Sequence, residues 1–213
     1  MAQYKLHCFC QSGNSYKVAL YLQCAGLNWE PVLVDYFSGQ TRDPKWRESV
    51  NAMGEVPVLE EGATKLAQSG VILSHLAEKT GKFRPEGGRL EALRWMFFDN
   101  HKFTGYFATY RFMKAFLKQE PDAAVMAFLK GRFDAALAIV EKHLGTSRFM
   151  AGDTPTIADF SLVGYMFYPP EESGYDWSKT NPNLAAWIER MRALPGWKDP
   201  YELLPGQRIK PLR

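Results

Sequence analysis

A proline inside a short apolar segment is the feature that most constrains the fold of this chain. Residues 54–59 read GEVPVL, and this pattern predicts a short buried strand over residues 56–59. Proline has no backbone N–H, so a sheet tolerates it only at an edge or where the backbone geometry is special. The segment therefore predicts a sheet edge against which something else lies.

A helix predicted about ten residues further on adds an anion site to this edge. Gln68 and Ser69 precede an apolar pattern in which Leu73, Leu76 and Ala77 recur at helical spacing. The first N–H groups of a helix have no partner within it, and the macrodipole favours negative charge there. Such a pair of features suits a peptide with a free carboxylate. Ser69 is also a common helix-capping residue, and one serine can both cap and bind.

Composition excludes several classes of protein. With 213 residues, 46% of them apolar, the chain is expected to form one sizeable core or two small domains, which excludes a disordered chain. The net charge of +3 is spread along the sequence, so nucleic acid is not an expected partner. No apolar run spans a bilayer and no signal peptide is visible, which predicts a cytoplasmic protein without a membrane partner. The three cysteines lack zinc-type spacing, so reduced thiols and no metal site are expected.

The first eighty residues predict a small α/β domain. Strand patterns over residues 4–9 and 29–34 flank a helix pattern over residues 15–25, and a short connection of this kind implies a right-handed parallel crossover. A short irregular helix, the strand at residues 56–59, a hairpin partner at 65–67 and the helix after Ser69 complete a βαβ-α-ββα unit. We assign this domain to residues 1–80.

The rest of the chain predicts helices only. Residues 81–88 are rich in glycine and charge, which indicates a linker, and residues 89–213 form the predicted all-helical domain. Its first helix is expected to run unbroken from residue 90 to 117, although Gly105 is costly there unless backbone approaches closely. Thr156 and Asp159 predict a capping box, which gives Asp159 a structural role. Asn181 and Pro182 predict the cap and first turn of the last clear helix.

These motifs together resemble the cytosolic glutathione transferase family. The resemblance covers essentially the whole chain, and its most specific part is residues 4–84. It implies a thioredoxin-like N-terminal domain in which Pro57 is cis and the Val56 backbone pairs with the cysteinyl unit of glutathione, the co-substrate. It also implies that Gln68 and Ser69 hold the γ-glutamyl end.

Glu55 departs from the pattern of the family, in which many members have Gln at this position. A carboxylate beside the carboxylate of glutathione would repel it. Either Arg42, Lys45 or Arg47 compensates, or Glu55 points away.

The resemblance places the catalytic residue in the turn before the first helix. Ser12 falls where the serine classes keep the hydroxyl that donates to the glutathione sulfur. A free thiol has a pKa of about 8.5, and a hydroxyl donor at a helix start favours its thiolate. Residues 12–17 also look like the Thr-Pro-Asn-Gly-x-Lys turn of bacterial nu-type members, which brings in Asn14 as a sulfur ligand. Ser15 is a further neighbour, and the alternative is that these residues only cap the helix.

Cys10 needs a separate interpretation, because glutaredoxin-like relatives use a cysteine near this turn. Cys8 and Cys10 are expected to be buried on one face of a strand. Exposure of Cys10 near the thiolate would instead allow a mixed disulfide.

The second substrate is expected against the aromatic helix that starts the helical domain. His101, Tyr106 and Tyr110 are the candidate pocket residues, with core or dimer contact as the alternative for each. The resemblance also implies a homodimer.

Three functions follow from the resemblance. The first is a glutathione transferase that adds the thiolate to small hydrophobic electrophiles, as in detoxification. The second is a glutathione-dependent disulfide reductase of the nu kind. The third is a binding or scaffold module without catalysis.

Overall fold

The computed structural model describes residues 2–85 and 88–213, which form two compact units. One unit contains the chain up to Lys82 together with Leu194–Arg208. The other contains Phe83–Ala193 and Ile209–Arg213. Positions 86 and 87 of the predicted linker lie outside the described residues.

The first unit is built on a four-stranded mixed sheet with strand order β2-β1-β3-β4. β1 pairs in parallel with β2 and antiparallel with β3, and β3 pairs antiparallel with β4. Helices α1 and α3 pack against each other. This arrangement confirms the predicted βαβ-α-ββα order. The elements in chain order are β1 (Tyr4–Cys8), α1 (Gly13–Cys24), β2 (Trp29–Leu33), α2 (Pro44–Ser49), β3 (Val58–Glu61), β4 (Thr64–Ala67) and α3 (Ser69–Thr80).

The strand predicted for residues 56–59 begins later than expected. The Val56–Pro57 peptide bond is cis, as the resemblance implies, but both residues precede β3, which starts at Val58. Pro57 has no N–H to contribute to the ladder, so the pairing begins one residue after it.

Among its described residues the second unit has helices and no strand, which confirms the predicted all-helical fold. Its first helix is followed by a π-helical turn, Asp99–Phe103, before the next α-helix starts. The helices are α4 (Arg89–Phe98), α5 (Thr104–Ala115), α6 (Ala123–Leu144), α7 (Ile157–Leu162), α8 (Pro170–Ser173), α9 (Trp177–Thr180) and α10 (Pro182–Arg192), while α11 (Pro200–Leu203) belongs to the first unit. A 3₁₀ turn, Val163–Tyr165, follows helix α7.

The prediction of one unbroken helix over residues 90–117 is wrong, because the π-helical turn divides it. Within this turn Asp99 is fully buried, and its carboxylate accepts hydrogen bonds from the hydroxyls of Thr104 and Ser161, both at 2.6 Å. Gly105 is the second residue of α5, and a β carbon at this position would lie 2.7 Å from the carbonyl oxygen of Asn100. The close backbone approach expected at Gly105 is therefore present.

The capping box at the start of α7 is confirmed. The Thr156 hydroxyl accepts from the backbone N–H of Ala158, and the Asp159 carboxylate accepts from the backbone N–H of Thr156 at 2.8 Å. Asp159 is completely buried and also accepts from Met150 N and Trp187 Nε1, both at 2.9 Å. Burial raises the pKa of Asp159, and these hydrogen bonds act in the opposite direction. Asp159 thus ties together three segments of the helical unit.

The start of α10 differs from the prediction. The Asn181 side chain makes no capping bond, although Pro182 does occupy the first turn. The carboxylate of Glu141 on α6 instead accepts from the backbone N–H groups of Asn183 and Leu184, both at 2.9 Å. A carboxylate from a neighbouring helix satisfies the same unpaired donors as a local cap would.

None of the helices within residues 2–85 and 88–213 combines the length and the apolar character needed to cross a bilayer.

We expect Asp159→Ala to lower the free energy of unfolding by about 3 kcal/mol or more, since it leaves several buried donors without an acceptor. Chemical denaturation followed by circular dichroism measures this change. Asp153→Ala, at an exposed aspartate of the same unit, is the control and is expected to change the stability little. Equal stability of the two variants would contradict the structural role of Asp159.

Candidate functional site

Strand register brings three candidate segments to one end of the sheet. His7 pairs with Val58, and Val58 pairs with Ala67 on the other side. The turn that follows β1, the Val56–Pro57 peptide that precedes β3 and the residues that follow β4 therefore leave the sheet at the same end. All three segments belong to the first unit. The sequence places Ser12 and Asn14 in the first of them, and Gln68 and Ser69 in the last.

Ser12 caps helix α1, as the structural alternative predicts. It is buried, and its Oγ accepts a hydrogen bond from the backbone N–H of Ser15 at 3.1 Å. A hydroxyl has one proton to donate besides its acceptor capacity. The capping bond therefore leaves the Ser12 proton available for a ligand atom.

Two polar atoms next to Ser12 are buried without a partner among the described residues. They are Oδ1 of Asn14 and Oγ of Ser15, and Ser15 is fully buried. A buried polar atom without a hydrogen bond is costly, and native structures rarely keep one away from water or a ligand. The first turn of α1 thus holds unused hydrogen-bonding capacity at the position where the sequence predicts catalysis.

The Val56 backbone is open to an incoming strand. Val56 is half-buried, Pro57 is buried, and no other residue in the described part of the chain makes a backbone hydrogen bond with Val56. Unpaired N–H and C=O groups at a strand end are a template for extended peptide. The Val56 edge is therefore a candidate for strand pairing with a peptide-like ligand.

Helix α3 begins without a side-chain cap. Gln68 is the N-cap residue and its side chain makes no capping bond, while Ser69 is the first helical residue. The interpretation of Ser69 as the N-cap is therefore wrong by one position. Ser69 is buried and no hydrogen bond engages its hydroxyl within the described residues. An uncapped start of a twelve-residue helix, with a buried hydroxyl beside it, favours an anion.

Gln68, which directly follows β4, has an unusual backbone conformation. Its φ is 68° and ψ is 113°, a region that residues other than glycine seldom adopt. Its Nε2 donates to Oε2 of Glu55 at 2.7 Å. Strained backbone of this kind persists only where the surroundings hold it, and it is enriched at ligand sites.

Glu55 therefore lies beside Gln68 and does not turn away from the site. Among the basic residues proposed to compensate it, Arg47 donates its Nε to the carbonyl of Thr41 at 3.0 Å and lies against Gly54. Gly54 has a φ of +69°, and a β carbon there would lie 2.7 Å from the Arg47 guanidinium. Arg42 and Lys45 are exposed.

An aromatic cluster next to the first turn was missed by the sequence analysis. The ring of Phe9 stacks on Tyr36 with centroids 4.8 Å apart, and the ring of Phe37 contacts both edge-on. The signal was present in the sequence, because β1 and β2 are parallel and the residues following them must be neighbours. Phe37 is 42% exposed and extends an apolar surface along the sheet end.

The two cysteines near the turn are both buried, as predicted, but only Cys8 lies in the strand. Burial raises the pKa of the Cys8 thiol to about 12. Cys10 lies in the turn after β1 and is 1% exposed. The condition for a mixed disulfide at Cys10, an exposed thiol, is not met.

The three candidate pocket residues of the helical unit have different environments. His101 is exposed on the π-helical turn. Tyr106 is half-buried and its hydroxyl accepts from the Arg132 guanidinium at 3.3 Å. Tyr110 is buried against Tyr175, and burial raises its pKa. Tyr106 and Tyr110 are four residues apart on α5 and so share one helix face.

A cavity of about 420 Å³ in the helical unit lies elsewhere. Phe167, Tyr168 and Trp177 form its aromatic wall, and Arg192 on α10 lies at its edge. None of the three candidate pocket residues lines it.

Comparisons with known proteins agree with this geometry. Residues 2–78 match the family model of the glutathione S-transferase N-terminal domain, and residues 123–190 match that of the C-terminal domain. Glutathione S-transferase F14 of Arabidopsis thaliana is 30% identical over 206 residues, covering 91% of this chain and 80% of the relative.

Solved structures give the same assignment. A glutathione S-transferase from Pseudomonas fluorescens has a TM-score of 0.84 at 31% identity, covering 93% of this chain and 99% of the other. The glutathione transferase URE2P8 of Phanerochaete chrysosporium, solved with oxidized glutathione, shares the fold with a TM-score of 0.84 at 22% identity and 95% coverage of both chains. With both domain models matched in order and a relative 30% identical over 91% of the chain, the chain belongs to the cytosolic glutathione transferase family.

Proposed function

We propose that this protein is a glutathione transferase that activates the glutathione thiolate for attack on small hydrophobic electrophiles. The observation that carries the proposal is the meeting of three open groups at one sheet end. These are the unpaired backbone of Val56, the unused hydrogen-bonding capacity around Ser12, and the uncapped start of α3 at Ser69. Together they match the peptide backbone, thiol and carboxylate of glutathione.

The cysteinyl unit of glutathione pairs with Val56 in this proposal. Its backbone N–H and C=O supply the partners that Val56 lacks, as in other cases of strand addition. Pro57 and Val58, which follow Val56, are buried, and their packing fixes the position of the Val56 backbone. The sulfur is then directed to the turn that follows β1.

Ser12 donates its hydroxyl proton to the sulfur and does not attack anything itself. A donor at a helix start stabilises the thiolate and lowers the pKa of the bound thiol. Asn14 is the second candidate ligand, because its side-chain oxygen is buried without a partner among the described residues. The side-chain amide of Asn14 can donate from its nitrogen if the group is rotated by half a turn.

The γ-glutamyl end carries both a carboxylate and an ammonium, and the structure offers a partner for each. The carboxylate fits the N–H groups at the start of α3 and the Ser69 hydroxyl. The ammonium fits the acceptor oxygens of Glu55 and Gln68, whose side chains are joined by a 2.7 Å hydrogen bond. In this arrangement Glu55 attracts glutathione through the ammonium.

The electrophile is proposed to lie against the first helices of the second unit, where His101, Tyr106 and Tyr110 remain the candidates. His101 is exposed and Tyr106 half-buried, so a small molecule can reach both. Tyr110 is buried against Tyr175, which favours packing as its main role.

A glutathione-dependent disulfide reductase is the second candidate. Asn14 and Lys17 of the nu-like turn favour it, and the Asn14 oxygen is buried without a partner among the described residues. The lack of the extended features of the nu type argues against it. The burial of Cys10 argues against a mechanism with a protein mixed disulfide.

Ser12→Ala is expected to lower kcat/KM for conjugation of a chlorinated nitroaromatic by roughly ten- to a hundredfold, since a hydrogen bond to a charged sulfur is lost. The pH profile of kcat/KM should shift to higher pH, because the bound thiol ionises less easily without the hydroxyl donor. Ser12→Thr keeps a hydroxyl and a cap, so it is the matched control and should retain most activity.

Asn14→Ala distinguishes the two activities when the reduction of hydroxyethyl disulfide is measured beside conjugation. Loss of conjugation alone in Ser12→Ala supports the transferase. The transferase proposal would be contradicted if Asn14→Ala lost disulfide reduction while Ser12→Ala stayed fully active in both assays. That result would support the reductase.

Glu55→Gln is expected to raise KM for glutathione about two- to fivefold, the size of an exposed charge pair. Calorimetric titration with glutathione should show the same change in Kd, and kcat should stay the same. Glu48→Gln, at an exposed glutamate on α2, removes the same charge without touching the site. Tighter binding by Glu55→Gln would instead mean that Glu55 repels the carboxylate of glutathione.

We also infer a homodimer from the family membership. Leu90 and Phe97, seven residues apart on α4, are 81% and 71% exposed, and such a face suits contact with a second copy. Sedimentation equilibrium should give twice the mass of the chain, and a monomer at micromolar concentration would contradict the inference.

A further inference from the structure

The last part of the first unit folds back onto helix α1 and the turn before it. Residues Leu194–Arg208 belong to this unit although they follow the helical domain in sequence. Helix α11 packs against α1, and the Tyr16 hydroxyl donates to the carbonyl of Lys198 at 2.8 Å.

One side chain links the segment to the turn that carries Ser12. Nε2 of Gln11 donates to the backbone carbonyl of Gln207 at 2.7 Å, and Gln11 is only 6% exposed. The acceptor is a main-chain atom, so the bond depends on the residue at position 11 and not on the one at position 207. Gln11 precedes Ser12 directly in the chain, so a displacement of the Gln11 backbone is transmitted to Ser12.

Gly206 allows the segment to pass close over the turn. Its φ is +108°, a value that side chains other than hydrogen disfavour. A β carbon at this position would lie 3.5 Å from the Cys10 sulfur and 3.4 Å from Leu33. Residues 204–207, which we call the C-terminal strap, therefore cover Cys10 while Gln11 holds them in place.

We propose that the C-terminal strap positions the sulfur-activating turn and that Gln11 is the positioning residue. This inference rests on the proposed function, because it assumes that Ser12 or Asn14 contacts the glutathione sulfur. The turn has a backbone bond of its own from Ser12 N to the Phe9 carbonyl at 3.1 Å. Gln11 adds a bond to a distant segment, and small displacements of a reacting group are costly in rate.

Gln11→Met tests the proposal, because methionine keeps the length and volume of the side chain but removes its donor. The pKa of glutathione bound to the enzyme, read from its thiolate absorbance and from the pH profile of kcat/KM, should rise by roughly half to one unit. Kd for glutathione, measured by calorimetry well below that pKa, should change less than about twofold, because the backbone and γ-glutamyl contacts are intact.

Gln207→Ala is the matched control. Its side chain is exposed and its carbonyl remains, so the bond from Gln11 persists and the thiol pKa should equal that of the wild type. A general loss of stability would not move the thiol pKa of the folded, glutathione-bound protein. The pH profile therefore separates positioning from a purely structural role.

Gly206→Ala is the second variant, for the case in which Gln11→Met does not fold. A residue with a β carbon is strained at the Gly206 φ of +108°, so the strap backbone must shift to accommodate alanine. Cys10 should then react faster with an aromatic disulfide reagent, as peptide mapping by mass spectrometry would show. The bound thiol pKa should rise in parallel.

The two possible failures are distinguishable. A Gln11→Met or Gly206→Ala enzyme that binds glutathione with the thiol pKa of the wild type overturns the role of the strap and leaves the transferase in place. Absence of glutathione binding by the wild-type protein overturns the proposed function itself.

Discussion

The antiparallel register of β1, β3 and β4 is the interaction on which the candidate site depends. The pairs His7–Val58 and Val58–Ala67 fix which residues leave the sheet together. A slip by one residue would turn every side chain of β3 to the other face and would bury or expose the wrong set. Val58 and Leu59, each no more than 1% exposed, resist such a slip because both are embedded in the core. The core thus sets the position of Val56 at the open end.

The two helices that start at this end treat their first turns differently. Helix α1 is capped by Ser12, whose Oγ accepts a hydrogen bond from the backbone N–H of Ser15. The hydroxyl proton of Ser12 is not used in this bond and can be donated to another atom. Helix α3 has no side-chain cap, so its N–H groups stay available to an anion. One start therefore suits a thiolate that needs a hydrogen-bond donor, and the other suits a carboxylate. In the proposed complex, the two helix starts would bind two different groups of one glutathione molecule.

Local sequence signals predicted much of this arrangement. The proline at position 57, the close approach at Gly105 and the capping box of Asp159 each follow from what one residue type can do in its backbone context. The domain order follows from hydrophobic periodicity, and the cis peptide came from the family resemblance alone. The roles of Val56, Ser12, Asn14 and the three pocket residues remain predictions.

Features that depend on distant partners could not be read from the sequence. The hydrogen bond from Gln11 to Gln207 joins residues 196 positions apart, and nothing near Gln11 signals it. The start of α10 is capped by Glu141 and not by Asn181, because the packing of α6 against α10 brings the Glu141 carboxylate to the free N–H groups. The local sequence around Asn181 does not reveal this contact. The π-helical turn also involves a distant partner, because the buried Asp99 carboxylate in this turn accepts a hydrogen bond from Ser161 as well as from Thr104. The hydrogen bond from Gln68 to Glu55 also joins residues on different segments, and no local pattern near Glu55 signals it.

The central claim is that the sheet end at Val56 holds glutathione with its sulfur turned towards the start of α1. A crystal structure of the protein soaked with glutathione tests this most directly. We expect antiparallel hydrogen bonds between the cysteinyl unit and Val56, and a sulfur within about 3.5 Å of Ser12 Oγ or the Asn14 side chain, the limit for a contact without a bridging water. Glutathione bound elsewhere, or at this end with its sulfur directed away from both residues, would contradict the account.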